Sequence, residues 1–363
     1  MKLVEIILLF AVPGLMFCII PVNGMEFRLS WQLASLWLGG VAFALFLSSW
    51  WLRVFFLLAL IRTATMTPAY DAYISLLTIA VFLAAAEGFR RIDLERIMNA
   101  MCAAAILLFV WVMAQKAGFV NAPFAPTLAG PFNPDSGGVF FALCLPAFLR
   151  PRWWPFVIIC FIGIVMAGAT TAALAAAAAL GVFLFVGDRF QICPRRAKRI
   201  IAGAAALIVL LGLWFWRVDS LESVIRCNRW VAWKHAVWSM RSELMGRGLG
   251  SWKTEFPLLA SGDTRLGEVK NENGKIIMNN TVNEAHNEYV QASFELGVQM
   301  ALLMVLFAGF VTWTILTRQP PAHAAAGMAA LMVACIGWHV FHVAPLALLG
   351  CAWLGQWERR SGS

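Results

Sequence analysis

Long apolar runs alternate with short polar joints along most of the chain, and the alternation is interrupted at length only once. A helix needs about 17 to 20 predominantly apolar residues to cross the hydrocarbon core of a bilayer. On that measure the pattern predicts about twelve transmembrane helices, near residues 3–20, 31–48, 50–66, 72–88, 97–115, 136–150, 153–168, 171–187, 200–217, 297–317, 323–340 and 342–357. The interruption runs from about 218 to 297 and is rich in polar residues. The predicted fold is therefore an all-α polytopic membrane protein in three parts. An N-terminal bundle of about nine helices occupies 1–217, one large external loop with short amphipathic helices occupies 218–297, and about three helices with a short tail occupy 298–363.

Composition agrees with this reading: of 363 residues, 61% are hydrophobic and 13% charged, too little charge for a soluble domain of this length. The net charge of +9 does not form a nucleic-acid-binding stripe, because the cations sit in short clusters between apolar runs. Arg90, Arg91 and Arg96 form one cluster, Arg150 and Arg152 a second, Arg195, Arg196, Lys198 and Arg199 a third, and Arg359 and Arg360 a fourth. Together with Arg318, these clusters occupy every second connection, as the positive-inside rule requires of cytoplasmic loops. Both termini are then cytoplasmic and the long loop is external. Residues 1–20 also resemble a signal peptide, but no small-residue cleavage site follows Cys18 and Pro21-Val22-Asn23-Gly24 reads as a turn, so they are taken as a retained span. The stretch "ATTAALAAAAALGVFLF" suits close helix packing in lipid. Eight scattered cysteines, nearly all in or beside apolar runs, define neither a disulfide framework nor a zinc site.

The external loop is divided by charge. From Arg226 to Lys253 it carries six bases against one acid, Glu243, and from Thr254 to Gly297 three bases against seven acids. In the basic arm Trp230, Trp233, Val237, Met240 and Leu244 recur at helical spacing and line one face of an amphipathic helix. Such a helix lies in the membrane interface, either as an anchor or as one wall of a lipid-substrate groove, with Arg229 at its edge able to grip a phosphate. "GRGLG", Gly246 to Gly250, permits either close approach of a ligand to backbone or a simple turn between loop segments.

Chemistry concentrates in "NEAHNEYVQASFELG", residues 283 to 297, immediately before an apolar span. His286 has Val290 four residues on, so the helical zinc pair is absent and a metalloprotease is excluded. Placed on a helix, His286 shares a face with Val290, Ser293 and Gly297, while Glu288 and Glu295 share a nearly opposite one. A neutral imidazole at the membrane surface suits general-base work, and it equally suits hydrogen bonding at the start of the next helix.

The segment "AHNEYVQASFELG" resembles the His-Asn-x-x-Leu-x-x-x-x-Glu-x-Gly signature of the O-antigen ligase and O-antigen polymerase superfamily, with Val290 in place of leucine. Upstream, "RWVAWKHAVWSMRSELMGRGLGSW" is similar to that family's Arg-x-x-x-Trp helix followed by Gly-x-Gly, here Arg229, Trp233, Gly246 and Gly248. "LAGPFNPDSGGVFFALCLPAFL" resembles its Asn-Pro segment that opens a transmembrane helix. The resemblance spans roughly residues 128 to 317. It implies a metal-independent glycosyltransferase without cofactor on the outer side of the bacterial inner membrane. The donor is a glycan on undecaprenyl diphosphate, and the acceptor is lipid A-core in ligases or a second lipid-linked unit in polymerases. On this basis His286 is the expected base and Arg229 holds the diphosphate. Arg247, Arg241, Asn287, Glu295, Trp233, Gly246 and Gly248 are expected to bind substrate. One departure stands out: many members carry Ser-Arg where this chain has Thr170 and Thr171, so Arg247, or else Arg241, is expected to replace that arginine. Protein O-oligosaccharyltransferases share similar motifs. A transporter of lipid-linked sugars is the alternative from another class, with Glu5, Arg53, Glu87, His339 and His342 as its polar candidates near span ends. A plain structural membrane protein is disfavoured by the paired loop motifs.

Overall fold

The computed structural model describes residues 5–6, 8–11, 54, 70–122, 128–189, 229–260, 266, 270–272, 275–277, 285–318 and 320–361. The predicted spans at 31–48 and 200–217, most of those at 3–20 and 50–66, and the cluster from Arg195 to Arg199 lie outside the described residues. Ten helices of nine or more residues frame the structure among the described residues: α1 (Tyr70–Arg91), α2 (Leu94–Lys116), α3 (Pro134–Phe148), α4 (Val157–Ala167), α5 (Thr170–Arg189), α6 (Arg229–Ser239), α7 (Glu288–Leu296), α8 (Val298–Thr317), α9 (Ala322–Gly337) and α10 (Ala344–Ser361). The helical reading holds, with one small addition: Lys270–Glu272 and Lys275–Ile277 pair as an antiparallel hairpin.

The predicted spans that fall on described residues match helices closely, because long apolar runs leave the backbone no solvent partner and force its hydrogen bonds inward. Among the described residues, Leu94–Lys116, Thr170–Gly187 and Val298–Thr317 are long and apolar enough to cross a membrane, and Pro134–Phe148, Trp154–Ala167 and Ala322–Gly337 are shorter apolar helices. The count of about twelve is thus not established. Helix α8 turns Val298, Leu302, Val305, Leu306, Trp313 and Leu316 outward, a surface suited to hydrocarbon rather than water.

Polar residues set the ends of the helices. Asn133 caps α3, accepting a hydrogen bond from Ser136 N at 2.8 Å, and Pro134 follows at the first helical position, where no amide hydrogen is needed. Asp93 caps α2 in the same way through Glu95 N. Helix α3 runs down the centre, buried from Ser136 to Phe148 against α4, α5 and α9. The alanine-rich α5 packs on α9 so tightly that a Cβ on Gly337 would collide with Thr171. This is the close approach expected of its small residues.

The arginine clusters among the described residues gather at one end of the bundle. Arg90 and Arg91 pair with buried Glu87 at the end of α1. Arg150, just past α3, donates to Asn99 Oδ1 at 2.9 Å near the start of α2, and Arg359 donates to Ile92 O at 2.7 Å. Gln356 fastens the same corner by donating to Phe89 O and Ile92 O. The N-terminus of α3 and the C-terminus of α9 lie at the opposite end, about 22 Å away along the 15 residues of α3. There the loop elements assemble on a core of their own, in which Trp252 stacks on Phe256 at 4.2 Å and both meet Phe294 edge-on, beneath Ala232, Ala236 and Ala285.

Candidate functional site

Helix α7 begins at Glu288, two residues later than a helical His286 requires. Asn287 is its cap, extended in backbone and accepting from Val290 N at 3.0 Å. His286 therefore lies outside the helix, with φ of 51° in the left-handed region, a conformation no other non-glycine residue adopts among the described residues. It does not share a helical face with Val290, Ser293 and Gly297. Gly297 in turn ends α7 and lets α8 start at Val298.

The peptide leading into His286 is clamped on both sides. Ala285 N donates to Gln291 Oε1 at 3.1 Å, and Ala285 O accepts from Trp233 Nε1 at 2.6 Å. Trp233 thus acts through its indole N–H on the backbone next to the imidazole. The ring itself is carried to the end of α9, where its centroid lies 5.0 Å from that of Trp338 and 4.9 Å from that of His339. Arg229, the first residue of α6, places its guanidinium carbon 5.7 Å from the centre of the same Trp338 indole. Its Nη2 reaches Asp135 Oδ2, in the first turn of α3, at 3.3 Å. The guanidinium and the carboxylate are each about one-third exposed, at 31% and 30%, so an arriving anion can compete for the arginine.

A second polar chain backs this cluster. Glu288 Oε1 accepts from Phe341 N at 2.6 Å and from His342 Nδ1 at 3.2 Å, while Gln291 Nε2 lies 3.1 Å from His342 Nε2. Gln291 presents its oxygen to Ala285 N, so its amide nitrogen is the group that faces His342 Nε2. Gln291 also donates to Glu295 Oε1, which accepts from Trp252 N. Glu295 is buried within this chain.

His339 is buried at 6% exposure, and burial, followed by the nearby His342, His286, Arg229 and Lys253, holds its imidazole well below the usual histidine range. It is therefore neutral at pH 7. An unfolded chain binds a proton at this position below about pH 6.5 while the folded chain refuses it. The stability contribution is then fully present above that pH and is lost as the pH falls. Melting of the purified chain between pH 7.5 and 5.5 should show this acid limb, and His339→Phe should flatten it; an unchanged slope would place the acid sensitivity elsewhere. Burial likewise raises the Tyr289 phenol, which stays protonated and donates to Met332 O at 3.0 Å.

The remaining predicted residues do not meet at Trp338. Arg247 pairs with Glu255 at 3.2 Å and lies over Phe294, near the far end of α7 from His286. Arg241 is exposed and stacks on Trp238 at 4.0 Å. Gly246 packs its backbone directly on Gly297, so no side chain fits at either position. Gly248 N donates to Glu295 O at 2.8 Å. "GRGLG" is thus a turn clasped to the α7–α8 joint. The predicted amphipathic helix is shorter than expected, ending at Ser239, and it packs through Ala232 and Ala236. Met240 and Leu244 follow in turns, and Trp230, Val237, Trp238, Leu244 and Met245 face outward. Alanine lets α6 approach the aromatic core closely and leaves its large apolar groups on the surface. Sequence reasoning gave no site role to Trp338 or Asp135 and read His339 and His342 only as possible transport residues. The signal available was a Trp-His-x-x-His group in a joint too short to be an ordinary loop.

A helical bundle with lipid-suited faces, capped at one end by a folded polar segment that brings a guanidinium and an imidazole against one indole, defines a membrane protein. Residues 155–305, less than half of the chain, match the family model of the O-antigen ligases, so that this segment is similar to that family. No curated protein matches the chain.

Proposed function

We propose that this chain is a membrane glycosyltransferase of the O-antigen ligase type, acting at the periplasmic face of the bacterial inner membrane. It transfers a glycan from undecaprenyl diphosphate to a sugar hydroxyl, on lipid A-core or a similar acceptor. The observation that carries this reading is the meeting of Arg229 and His286 on one indole, although they come from separate segments of the chain. The acceptor oxygen forms a bond to the anomeric carbon as that carbon's bond to the diphosphate oxygen breaks. The bonding pair departs with the diphosphate, whose growing charge faces Arg229, and the hydroxyl proton passes to His286. Asn287 and Trp233 hold the base in register, and Glu295 holds the loop behind it.

The periplasmic assignment is supported by the distance of the site from the described arginine clusters, which occupy the opposite end of α3. Leu244 O accepts from Val298 N at 2.9 Å, so the exposed apolar patch of α6 and its following turns runs on into the outward face of α8. That continuity suits a loop seated in the headgroup layer, close to the polyprenyl chain of a lipid-linked donor.

Expression in two bacterial strains, one lacking its O-antigen ligase and one lacking its polymerase, tests the reading. Restored capping of lipid A-core on a gel is the expected result, and a restored ladder of repeat units assigns the chain to polymerization instead. The reaction needs no metal on this mechanism, since the leaving group is met by a guanidinium. Transfer by the purified chain should therefore persist in EDTA; loss of activity that a divalent ion restores would assign a metal-binding role to the acidic arm.

A further inference from the structure

The geometry points to Trp338 as the positioning residue that holds Arg229 and His286 in one arrangement. The inference rests on the glycosyltransferase reading of that pair. Trp338 is 2% exposed, and four contacts converge on its indole. The Arg229 guanidinium lies over it at 5.7 Å, the His286 ring at 5.0 Å, and His339 stacks on it at 4.2 Å with an interplanar angle of 28°. The fourth is Nε1–H, which donates to Ser136 Oγ at 3.1 Å.

Ser136 lies in the first turn of α3, one residue from Asp135, the ion-pair partner of Arg229. One short turn therefore grips the arginine by its charge and the indole by its N–H. The backbone beneath Trp338 is also held. Gly337 sits against Thr171, whose hydroxyl donates to Gly337 O at 3.4 Å, so the end of α9 cannot slide along α5 without a clash. A flat aromatic face attracts a guanidinium without consuming its N–H donors, which stay available to a phosphate. An indole serves this purpose where a carboxylate alone would not, because a second ion pair would neutralise the cation that the leaving group needs. The residues that differ from the family pattern, Thr170 and Thr171, lie at this same corner, where Thr171 fills the space beside Gly337.

A double-mutant cycle tests the coupling. The full chain in lipid nanodiscs is titrated with undecaprenyl diphosphate carrying no glycan, and transfer in cells is the second readout. Arg229→Gln should weaken probe binding about tenfold or more, and Trp338→Leu several-fold. The double variant should be no weaker than Arg229→Gln alone, because without the guanidinium the platform has nothing left to position toward the probe. Trp338→Phe should keep most of the binding yet lower transfer several-fold, since the Ser136 anchor is gone while a ring remains. If Trp338→Leu fails to insert, Trp338→Phe and Ser136→Ala carry the same cycle. Additive losses, or wild-type binding and transfer in the Trp338 variants, would overturn the positioning role while Arg229 dependence persists. Wild-type probe binding in Arg229→Gln would overturn the diphosphate reading and this inference with it.

Discussion

His286→Ala should abolish detectable glycan transfer while expression and membrane insertion stay at the wild-type level. Loss of a general base typically costs about 10²- to 10⁴-fold in rate. The structural cost is expected to be small, because His286 is half-buried, lies outside α7, and contributes neither the cap nor the clamp of its own segment. Those duties fall to Asn287, Trp233 and Gln291. Alanine still tolerates the left-handed backbone poorly, so insertion is followed alongside transfer, and His286→Asn, whose residue type adopts that conformation readily, serves as a second variant. Both should lose transfer. Activity within a few-fold of wild type in either would reduce His286 to a hydrogen-bonding group at the start of a helix.

The second large effect is expected at Arg229. Removing one preorganised donor from a developing negative charge commonly costs about 10²- to 10³-fold in turnover, and Arg229→Gln should fall in that range. Arg229→Lys should rescue only in part, since an ammonium lacks both the planar fork and the flat face that lies over Trp338. Arg247→Gln is expected to lose much less, under about tenfold. Its guanidinium already faces Glu255 and Phe294, away from the indole where Arg229 and His286 meet. Equal losses in kcat for the two arginines would bring Arg247 into the site and require the Glu255 pair to open when the donor binds. Lys253, whose charge acts on His339, is a further cation near the cluster, and Lys253→Gln completes the comparison.

Much of the helical framework was legible because membrane spans announce themselves through length and hydrophobicity alone. The run at 297–317 became Val298–Thr317, and that at 171–187 became Thr170–Arg189, each within two residues at every end. The loop helix was legible in existence but not in the face it buries: the spacing favoured the large apolar groups, whereas the close-packed side is alanine. The site was legible only in half. Arg229 and His286 lie in motifs, but Trp338, His339 and His342 fall where two predicted spans, 323–340 and 342–357, nearly touch, and there they read as the ends of lipid-facing helices. Only the three-dimensional meeting of the α3 and α9 ends makes them neighbours of His286. The helical placement of His286 failed for a local reason, since Asn287 competes for the capping position and pushes the histidine outside.

The central claim concerns a bond, the one between glycan and diphosphate, and its fate can be followed directly. The purified chain is reconstituted in proteoliposomes with lipid-linked glycan prepared from membranes of its native host and with lipid A-core as acceptor. The account predicts that glycan leaves the polyprenyl diphosphate and appears covalently on the acceptor, or on a second lipid-linked unit if the chain polymerizes, and that His286→Ala leaves the donor intact. Donor that crosses the bilayer with its glycan still attached, in wild type and variant alike, would contradict the account and identify a transporter.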